Sequence, residues 1–314
     1  MADKLAQAIA LSISAKIPLY TSLASLTWVL HDYLVTVRDE ARYIWVSSAF
    51  QTGPWNTGKF LFFWIRYYTI MLAVFDVAQI HSFSRFRPSL TTCVVMDAMI
   101  RVVGAISLWA IEIIMQLRIY ALFHCSKRVA MVNAVLFLAS IGVFLWILIH
   151  NGLGRAAVIK DAKALPIPGC PVVHTGIEWA QWVPATAFEG VLFAFAIYTS
   201  VESMLERKRT GERKSGLFSV VLEDNIVYFF GITCILVFNN LMVVNVTHIP
   251  WFSYGPFHAA TGIMTARMLI HLRKASTETP SPSMGFMPAG YSQSAAIQTM
   301  EWRSMGVTCI EEGF

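Results

Sequence analysis

The sequence predicts an all-α protein that crosses a membrane seven times, with its N-terminus outside and its C-terminus in the cytoplasm. Three observations support this fold class. The 314 residues are 56% hydrophobic and only 14% charged, whereas an average soluble domain is about 25% charged. Seven apolar runs have the length of a membrane-spanning helix. Lys and Arg are enriched in alternate connecting segments, as the positive-inside rule requires.

Each predicted span is an apolar run of about 20 residues, which crosses about 30 Å of hydrocarbon as a helix. The runs cover residues 17–37, 59–80, 94–122, 129–150, 177–201, 222–246 and 251–272. We expect helices because backbone groups in lipid must pair within their own segment. Residues 1–16 are then an extracellular tail, residues 17–274 form the seven-helix domain, and residues 275–314 form a disordered cytoplasmic tail.

The orientation follows from the distribution of Lys and Arg. With the N-terminus outside, the outer segments hold seven of these residues and the inner segments hold fourteen, apart from the final tail. The most basic inner segment is the run ERKRTGERK at residues 206–214. A cleaved signal peptide is the rival interpretation of the start, because LAQAIALSISA resembles its apolar core. Asp3 before this run and Lys16 directly after it favour an extracellular tail.

Two of the five cysteines, Cys93 and Cys170, are predicted to lie on the outer side, where an oxidising compartment permits a disulfide. The bridge would tie the long loop after the fourth span over the bundle, and two unrelated free thiols are the alternative. The sequon at Asn245 is also predicted outside, but its closeness to the membrane disfavours glycosylation. No spacing of Cys and His indicates a metal site.

Charged residues inside the spans are costly in lipid, at about 2.5–3.5 kcal/mol each, and usually face the bundle interior. A rise of about 1.5 Å per residue places Arg66 and Glu112 in the cytoplasmic halves of the second and third spans. It places Asp76 and Arg101 in the outer halves of the same spans. We therefore predict two buried ion pairs, Arg66–Glu112 and Asp76–Arg101. Asp97 and Arg101 form a further i,i+4 pair on one helix face.

Polar groups that converge within a helical bundle also indicate a ligand pocket open to the outside. The candidate ligand-binding residues are Asp76, Arg101, Glu189, Asn239 and His258, with Asn240 as a further polar neighbour. Pro184 lies close to Glu189 and is a residue type that can kink a helix. The alternative is structural: each polar side chain satisfies an interhelical hydrogen bond, and the charges hold the second and third spans together.

Several chemistries are disfavoured by missing motifs. The sequence has no HExxH zinc motif, no GxSxG nucleophile motif and no P-loop. The seventh span has no central Lys that would form a retinal Schiff base. The net charge of +5 reflects the inner loops of a membrane protein and does not indicate a nucleic-acid partner. We therefore expect no enzymatic activity, no catalytic residues, no cofactor and no metal.

Four stretches resemble a known family: HDYLVTVRDEARYIW (residues 31–45), LRIYALF (117–123), LEDNIVYFF (222–230) and ARMLIHLRK (266–274). Together they resemble the fungal membrane family called domain of unknown function 6533, which is abundant in mushroom-forming fungi. Its most specific motif starts Tyr-Asp-Tyr-Leu-Leu-Thr and continues to acidic residues and Ile-Trp. The residues that fit it here are Asp32, Tyr33, Leu34, Thr36, Glu40, Ile44 and Trp45.

Two positions depart from the family pattern. His31 replaces the usual aromatic start, and Glu223 stands where a basic residue is expected. The resemblance implies a seven-helix bundle and supplies no established activity. We interpret residues 33–45 as an interfacial segment along the inner leaflet, with a structural rather than a catalytic role.

These features favour a receptor-like sensor, with an outer pocket, a bridged outer loop and a basic inner loop. A transporter or channel that uses the buried charges is the alternative, followed by an intramembrane enzyme or a scaffold. The expected partners are the lipid bilayer, a small-molecule ligand and a cytoplasmic signalling protein, without nucleic acid. The expected location is the plasma membrane or an endomembrane.

Overall fold

The computed structural model describes residues 2–45, 57–85, 89–123, 126–162, 178–210, 217–241 and 254–278. These residues form seven α-helices: α1 (Ala2–Glu40), α2 (Thr57–Arg85), α3 (Leu90–Leu122), α4 (Lys127–Ala162), α5 (Val183–Thr210), α6 (Leu217–Leu241) and α7 (Tyr254–Glu278). A π-helical turn, Ala41–Trp45, follows α1, and a short 3₁₀-helix, Glu178–Gln181, precedes α5. The described residues contain no strand, which confirms the all-α class.

Each helix overlaps one predicted span, but several extend beyond it. Helix α1 begins at Ala2, so residues 2–16 of the predicted tail continue the first helix. Helix α4 extends to Ala162, well past the end of its apolar run. Hydropathy identifies only the apolar part of a helix, whereas the backbone hydrogen bonds of the helix continue into the polar residues on either side. Pro184 lies in the first turn of α5, where a proline is compatible with a helix start, so it does not kink α5.

Long apolar helices make this chain an integral membrane protein. Among the described residues, four segments are long and apolar enough to cross a membrane: Gly58–Ser82, Thr91–Leu122, Lys127–Gly152 and Val183–Glu202. In α4 only 22% of the most apolar window is buried, and Leu138, Trp146 and Ile149 are largely exposed. An exposed apolar surface of this kind is stable against lipid chains and costly in water.

Helices α1 and α2 pack antiparallel. Ser22 of α1 contacts Asp76 of α2, and ten residues later Asp32 contacts Arg66, so the two helices run in opposite directions. Helix α7 contacts α1, α2, α3 and α6. The main hydrophobic core lies between α3, α5, α6 and α7. We call the end of the bundle where α1 ends and α2 begins the inner end, and the opposite end the outer end.

Candidate functional site

A group of ionised side chains joins three helices near the inner end, and we call it the inner ion cluster. It comprises Asp32 and Glu40 of α1, Arg66 of α2 and Arg267 of α7. Asp32 pairs with Arg66 at 2.7 Å and with Arg267 at 2.6 Å, while Arg66 also lies 3.4 Å from Glu40. Asp32 and Glu40 are only 1% and 0% exposed, whereas the Arg267 side chain is 46% exposed. Two carboxylates and two guanidinium groups therefore balance in charge.

Helical spacing brings this cluster together. Asp32, Thr36 and Glu40 are four residues apart, so all three side chains lie on the face of α1 that contacts α2. Arg66 donates hydrogen bonds to Asp32 and to the Thr36 hydroxyl. The Tyr67 hydroxyl donates to Glu40 at 3.2 Å. A buried carboxylate with several partners can remain ionised in an apolar surrounding.

The predicted Arg66–Glu112 ion pair is wrong. Arg66 pairs with the two α1 carboxylates, and both oxygens of Glu112 have no hydrogen-bond partner among the described residues. The apolar run of the first span ends at residue 37, and residues 33–45 were predicted to form an interfacial segment. Asp32 lies inside that run and Glu40 beyond it; because α1 continues to Glu40, both carboxylates lie inside the bundle and are available to Arg66.

A small polar cavity lies nearer the outer end, between α1, α2 and α7, and we call it the outer cavity. Its polar lining consists of Ser22, Ser25, Thr69, Asp76, Tyr254 and His258. The space holds about one water molecule. The Ser22 hydroxyl donates to the Asp76 carboxylate at 2.6 Å. Two of the predicted ligand-binding residues, Asp76 and His258, therefore line the same cavity.

Arg101, which was predicted to join this pocket, has other partners. Its guanidinium lies 3.3 Å from Asp97, one turn earlier on α3, and donates to Gln181 at 3.0 Å. The i,i+4 pair is therefore confirmed. The predicted Asp76–Arg101 pair is wrong, because within the described residues Asp76 accepts from a serine and has no ion pair. An acid one turn away on the same helix is a nearer partner than an acid on α2.

Helix α7 packs tightly against α3 beside the outer cavity. The Tyr254 hydroxyl donates to the carbonyl oxygen of Ile100 at 2.9 Å. A Cβ atom on Gly104 would lie 2.7 Å from the Tyr254 hydroxyl oxygen and 2.9 Å from Nε2 of His258. Only a residue without a Cβ permits this approach. The ring of His258 also lies against Phe257, with centroids 5.0 Å apart.

A second polar centre lies between α3 and α5. Glu112 and Glu189 are 1% and 0% exposed and close enough to interact electrostatically. All four of their carboxylate oxygens lack a hydrogen-bond partner in the part of the chain that the structure describes. Their neighbours along the chain, Ile111 and Phe188, belong to the main hydrophobic core. Glu189 therefore belongs to a different centre from the outer cavity.

Asn239 and Asn240 lie on α6, away from the outer cavity. Asn239 is buried, and its Nδ2 has no partner among the described residues. Asn240 donates to the Thr186 hydroxyl and so joins α6 to α5. The described residues also contain no group of three or more His, Cys, Asp or Glu side chains that would bind a metal ion. The five predicted ligand-binding residues are thus divided among several places in the bundle.

Three further predictions fall partly or wholly outside the described residues. Cys93 is buried in the first turn of α3, 2% exposed, but Cys170 lies outside the described residues, so the bridge stays a prediction. Asn245 and the tail from residue 279 onward also lie outside them. Cys234, which is exposed on α6, is a free thiol.

The partners that complete both polar groups were not predicted from the sequence. Asp32, Glu40 and Arg267 were not proposed as buried charges, although the i, i+4, i+8 polar spacing from Asp32 to Glu40 was present in the sequence. Ser22 and Ser25 have the same kind of signal, since Ser25 lies one turn and Ser22 two turns before the buried Val29 on the same face. Arg267 had no local signal, because its partner is 235 residues away.

Comparison with known proteins finds one family. Residues 20–71 match the model of the family of unknown function DUF6533, in agreement with the resemblance of residues 31–45. This segment covers most of the pairing between α1 and α2 and contains Asp32, Glu40 and Arg66. No curated protein and no solved structure matches the chain.

Proposed function

We propose that this integral membrane protein is a receptor-like sensor whose seven helices all cross the bilayer. Its N-terminus lies outside and its C-terminus in the cytoplasm, in the plasma membrane or an endomembrane. A ligand acts at the outer ends of the helices around the outer cavity, whose space itself holds about one water molecule, and the inner ends of the helices contact a cytoplasmic signalling protein. The Lys and Arg distribution supports this orientation.

One observation carries the proposal: the outer cavity and the inner ion cluster are built on the same three helices. Asp76 and Arg66 both lie on α2, ten residues apart, which is about 15 Å along the axis. His258 and Arg267 both lie on α7. A ligand that moves α7 against α1 and α2 at the outer cavity therefore changes the geometry of the ion cluster. Two distant sites are coupled when a packed helix can adopt two arrangements and both sites affect the balance between them.

Arg267 is the residue of the inner ion cluster whose ion pair can open and close most easily. Its pairing with Asp32 joins α7 to α1, and its side chain is 46% exposed. An ion pair at a partly exposed position contributes about 1 kcal/mol or less, so it can open without unfolding the bundle. Opening it would release the inner end of α7 for contact with a signalling protein.

The test is basal nucleotide exchange on a co-expressed G protein. Arg267→Gln removes the α7–α1 ion pair, and we expect basal exchange to rise about threefold or more over the unchanged protein. Arg128→Gln is the matched control, because it removes the same charge from an exposed position on α4, outside the three helices. Exchange that stays at the level of empty membranes for all three proteins would contradict a receptor that couples to G proteins.

A transporter or channel is the second candidate, and the pair Glu112 and Glu189 favours it. Buried carboxyl groups without partners are typical of proton and ion pathways in membranes. Flux of ions or protons into proteoliposomes tests this function. A transporter would lose flux in Asp76→Asn and in Glu112→Gln, whereas a sensor would show no flux above empty liposomes.

An intramembrane enzyme is the least favoured candidate. This expectation rests on the motifs that are missing from the sequence. The proposed partners are a small molecule on the outer side and a signalling protein on the inner side, with no nucleic acid.

A further inference from the structure

We propose that the outer cavity binds a sodium ion, with the Asp76 carboxylate as its charged ligand and neighbouring hydroxyl oxygens as neutral ligands. This inference deepens the proposed function, because it rests on the same cavity and names its occupant. It concerns a place among the described residues where a small cavity, a carboxylate and a hydroxyl oxygen without a partner coincide.

The oxygen atoms come from two helices and face one space. Asp76 and Thr69 are two turns apart on α2, and Ser22 and Ser25 are one turn apart on α1. Thr69 is 4% exposed, and its hydroxyl oxygen has no hydrogen-bond partner within the described part of the chain. A buried hydroxyl without a partner is rare in proteins and indicates an occupant.

An ionised Asp76 would call for a cation at this place. Asp76 is buried, and its hydrogen-bond partner is the neutral Ser22 hydroxyl. The nearest arginine on α3 is occupied by Asp97 and Gln181. Among the described residues the carboxylate therefore has no basic side chain in ion-pair contact. An ionised carboxylate inside a membrane bundle is too costly without a compensating charge.

The chemistry of the lining selects the kind of cation. Carboxylate and hydroxyl oxygens are hard ligands, which suit alkali and alkaline-earth ions and do not suit zinc or copper. A single carboxylate balances one positive charge, so a monovalent ion fits better than Ca²⁺ or Mg²⁺. The space holds about one water molecule, which favours the small sodium ion without a hydration shell.

The walls around these oxygens keep the site small. Gly255 of α7 lies beside it, and a Cβ atom there would be 3.1 Å from Ser25 Oγ and 3.5 Å from Asp76 Oδ2. His258 closes the α7 side with both ring nitrogens unpaired among the described residues. A bound ion would thus contact α1 and α2 directly and hold them against α7.

The test is the thermal stability of the purified full-length protein in detergent at constant ionic strength. An ion that binds only the folded protein raises the unfolding midpoint. Sodium chloride should raise the midpoint by about 3 °C or more over N-methylglucamine chloride, and potassium chloride should raise it less. The shift should disappear in Asp76→Asn and shrink in Thr69→Val. Glu202→Gln, which changes an exposed acid on α5 outside the cavity, should retain it.

Three results would overturn the inference. One is an equal midpoint in sodium and N-methylglucamine. Another is a sodium shift that persists in Asp76→Asn, which would mean that the ion binds elsewhere. The third is stabilisation by acid with no sodium effect, which would assign the compensating charge to a proton. None of these measurements uses a signalling readout, so their failure leaves the nucleotide-exchange test of the sensor unaffected.

Discussion

Replacing Arg66 with Gln removes the central cation of the inner ion cluster. The structure then leaves Asp32 and Glu40, at 1% and 0% exposure, with Arg267 as the remaining guanidinium in the cluster. The variant loses the 2.7 Å contact with Asp32, the 3.4 Å contact with Glu40 and the hydrogen bond to the Thr36 hydroxyl. Removing one partner of a buried ion pair costs about 3–5 kcal/mol, because the other charge stays buried without compensation.

This cost is large enough to measure in a purified membrane protein. A loss of about 1 kcal/mol lowers the unfolding midpoint by about 2–4 °C in a chain of a few hundred residues, so Arg66→Gln should lower it by roughly 10 °C. Arg267→Gln removes a charge that is half exposed, and it should cost about 1 kcal/mol. Thermal unfolding in detergent, followed by size-exclusion fluorescence, measures both.

A double-mutant cycle identifies the partner of Arg66. Arg66→Gln and Asp32→Asn should be non-additive, with a coupling of about 0.5–3 kcal/mol, because the two side chains are in contact. Arg66→Gln and Glu112→Gln should be additive within about 0.5 kcal/mol. Coupling of Arg66 to Glu112, without coupling to Asp32, would refute the pairing in the inner ion cluster.

Three further predictions concern α3 and its neighbours. Gly104→Ala should lower the unfolding midpoint, with a cost of about 1–3 kcal/mol for the overpacked Cβ, whereas Gly190→Ala, whose Cβ meets open space, should leave it unchanged or higher. Glu112→Gln should raise the midpoint, because it removes a buried carboxyl group without partners; a lower midpoint would reveal a partner. In the denatured protein, where burial no longer protects it, Cys93 should resist maleimide until a reductant is added, if it is bridged to Cys170; labelling before reduction would exclude the bridge.

The sequence contained the information for the helices because lipid leaves the backbone few alternatives. Apolar runs located α2 and α3 closely, since both helices are long and apolar, whereas α4 continues to Ala162, well past its apolar run. The start of α1 could not be predicted from hydropathy, because residues 2–16 are helical without forming a long apolar run. Local hydropathy does not report where a helix ends once its flanks become polar.

The polar contacts were harder to predict because they join residues that are distant in the chain. The Asp97–Arg101 pair was predictable from a spacing of one helical turn. Depth along two helices allowed Arg66 to pair with Glu112, but depth does not determine which face of each helix is turned inward. Arg66 pairs with Asp32 and Glu40 because both lie on the face of α1 that contacts α2. The prediction from the sequence placed no buried charge on α1.

The most direct test of the proposed arrangement is the side of the membrane on which each end of the chain lies. Single cysteines at Lys4 and Ser294, in a chain without its other accessible thiols, can be labelled with a membrane-impermeant maleimide in intact and permeabilised cells. Seven crossings predict labelling of Lys4→Cys in intact cells and of Ser294→Cys only after permeabilisation. Labelling of both positions in intact cells would contradict the seven-helix sensor. If neither is labelled there, selective permeabilisation of the plasma membrane should expose Ser294→Cys alone, and equal labelling of the two positions would contradict it.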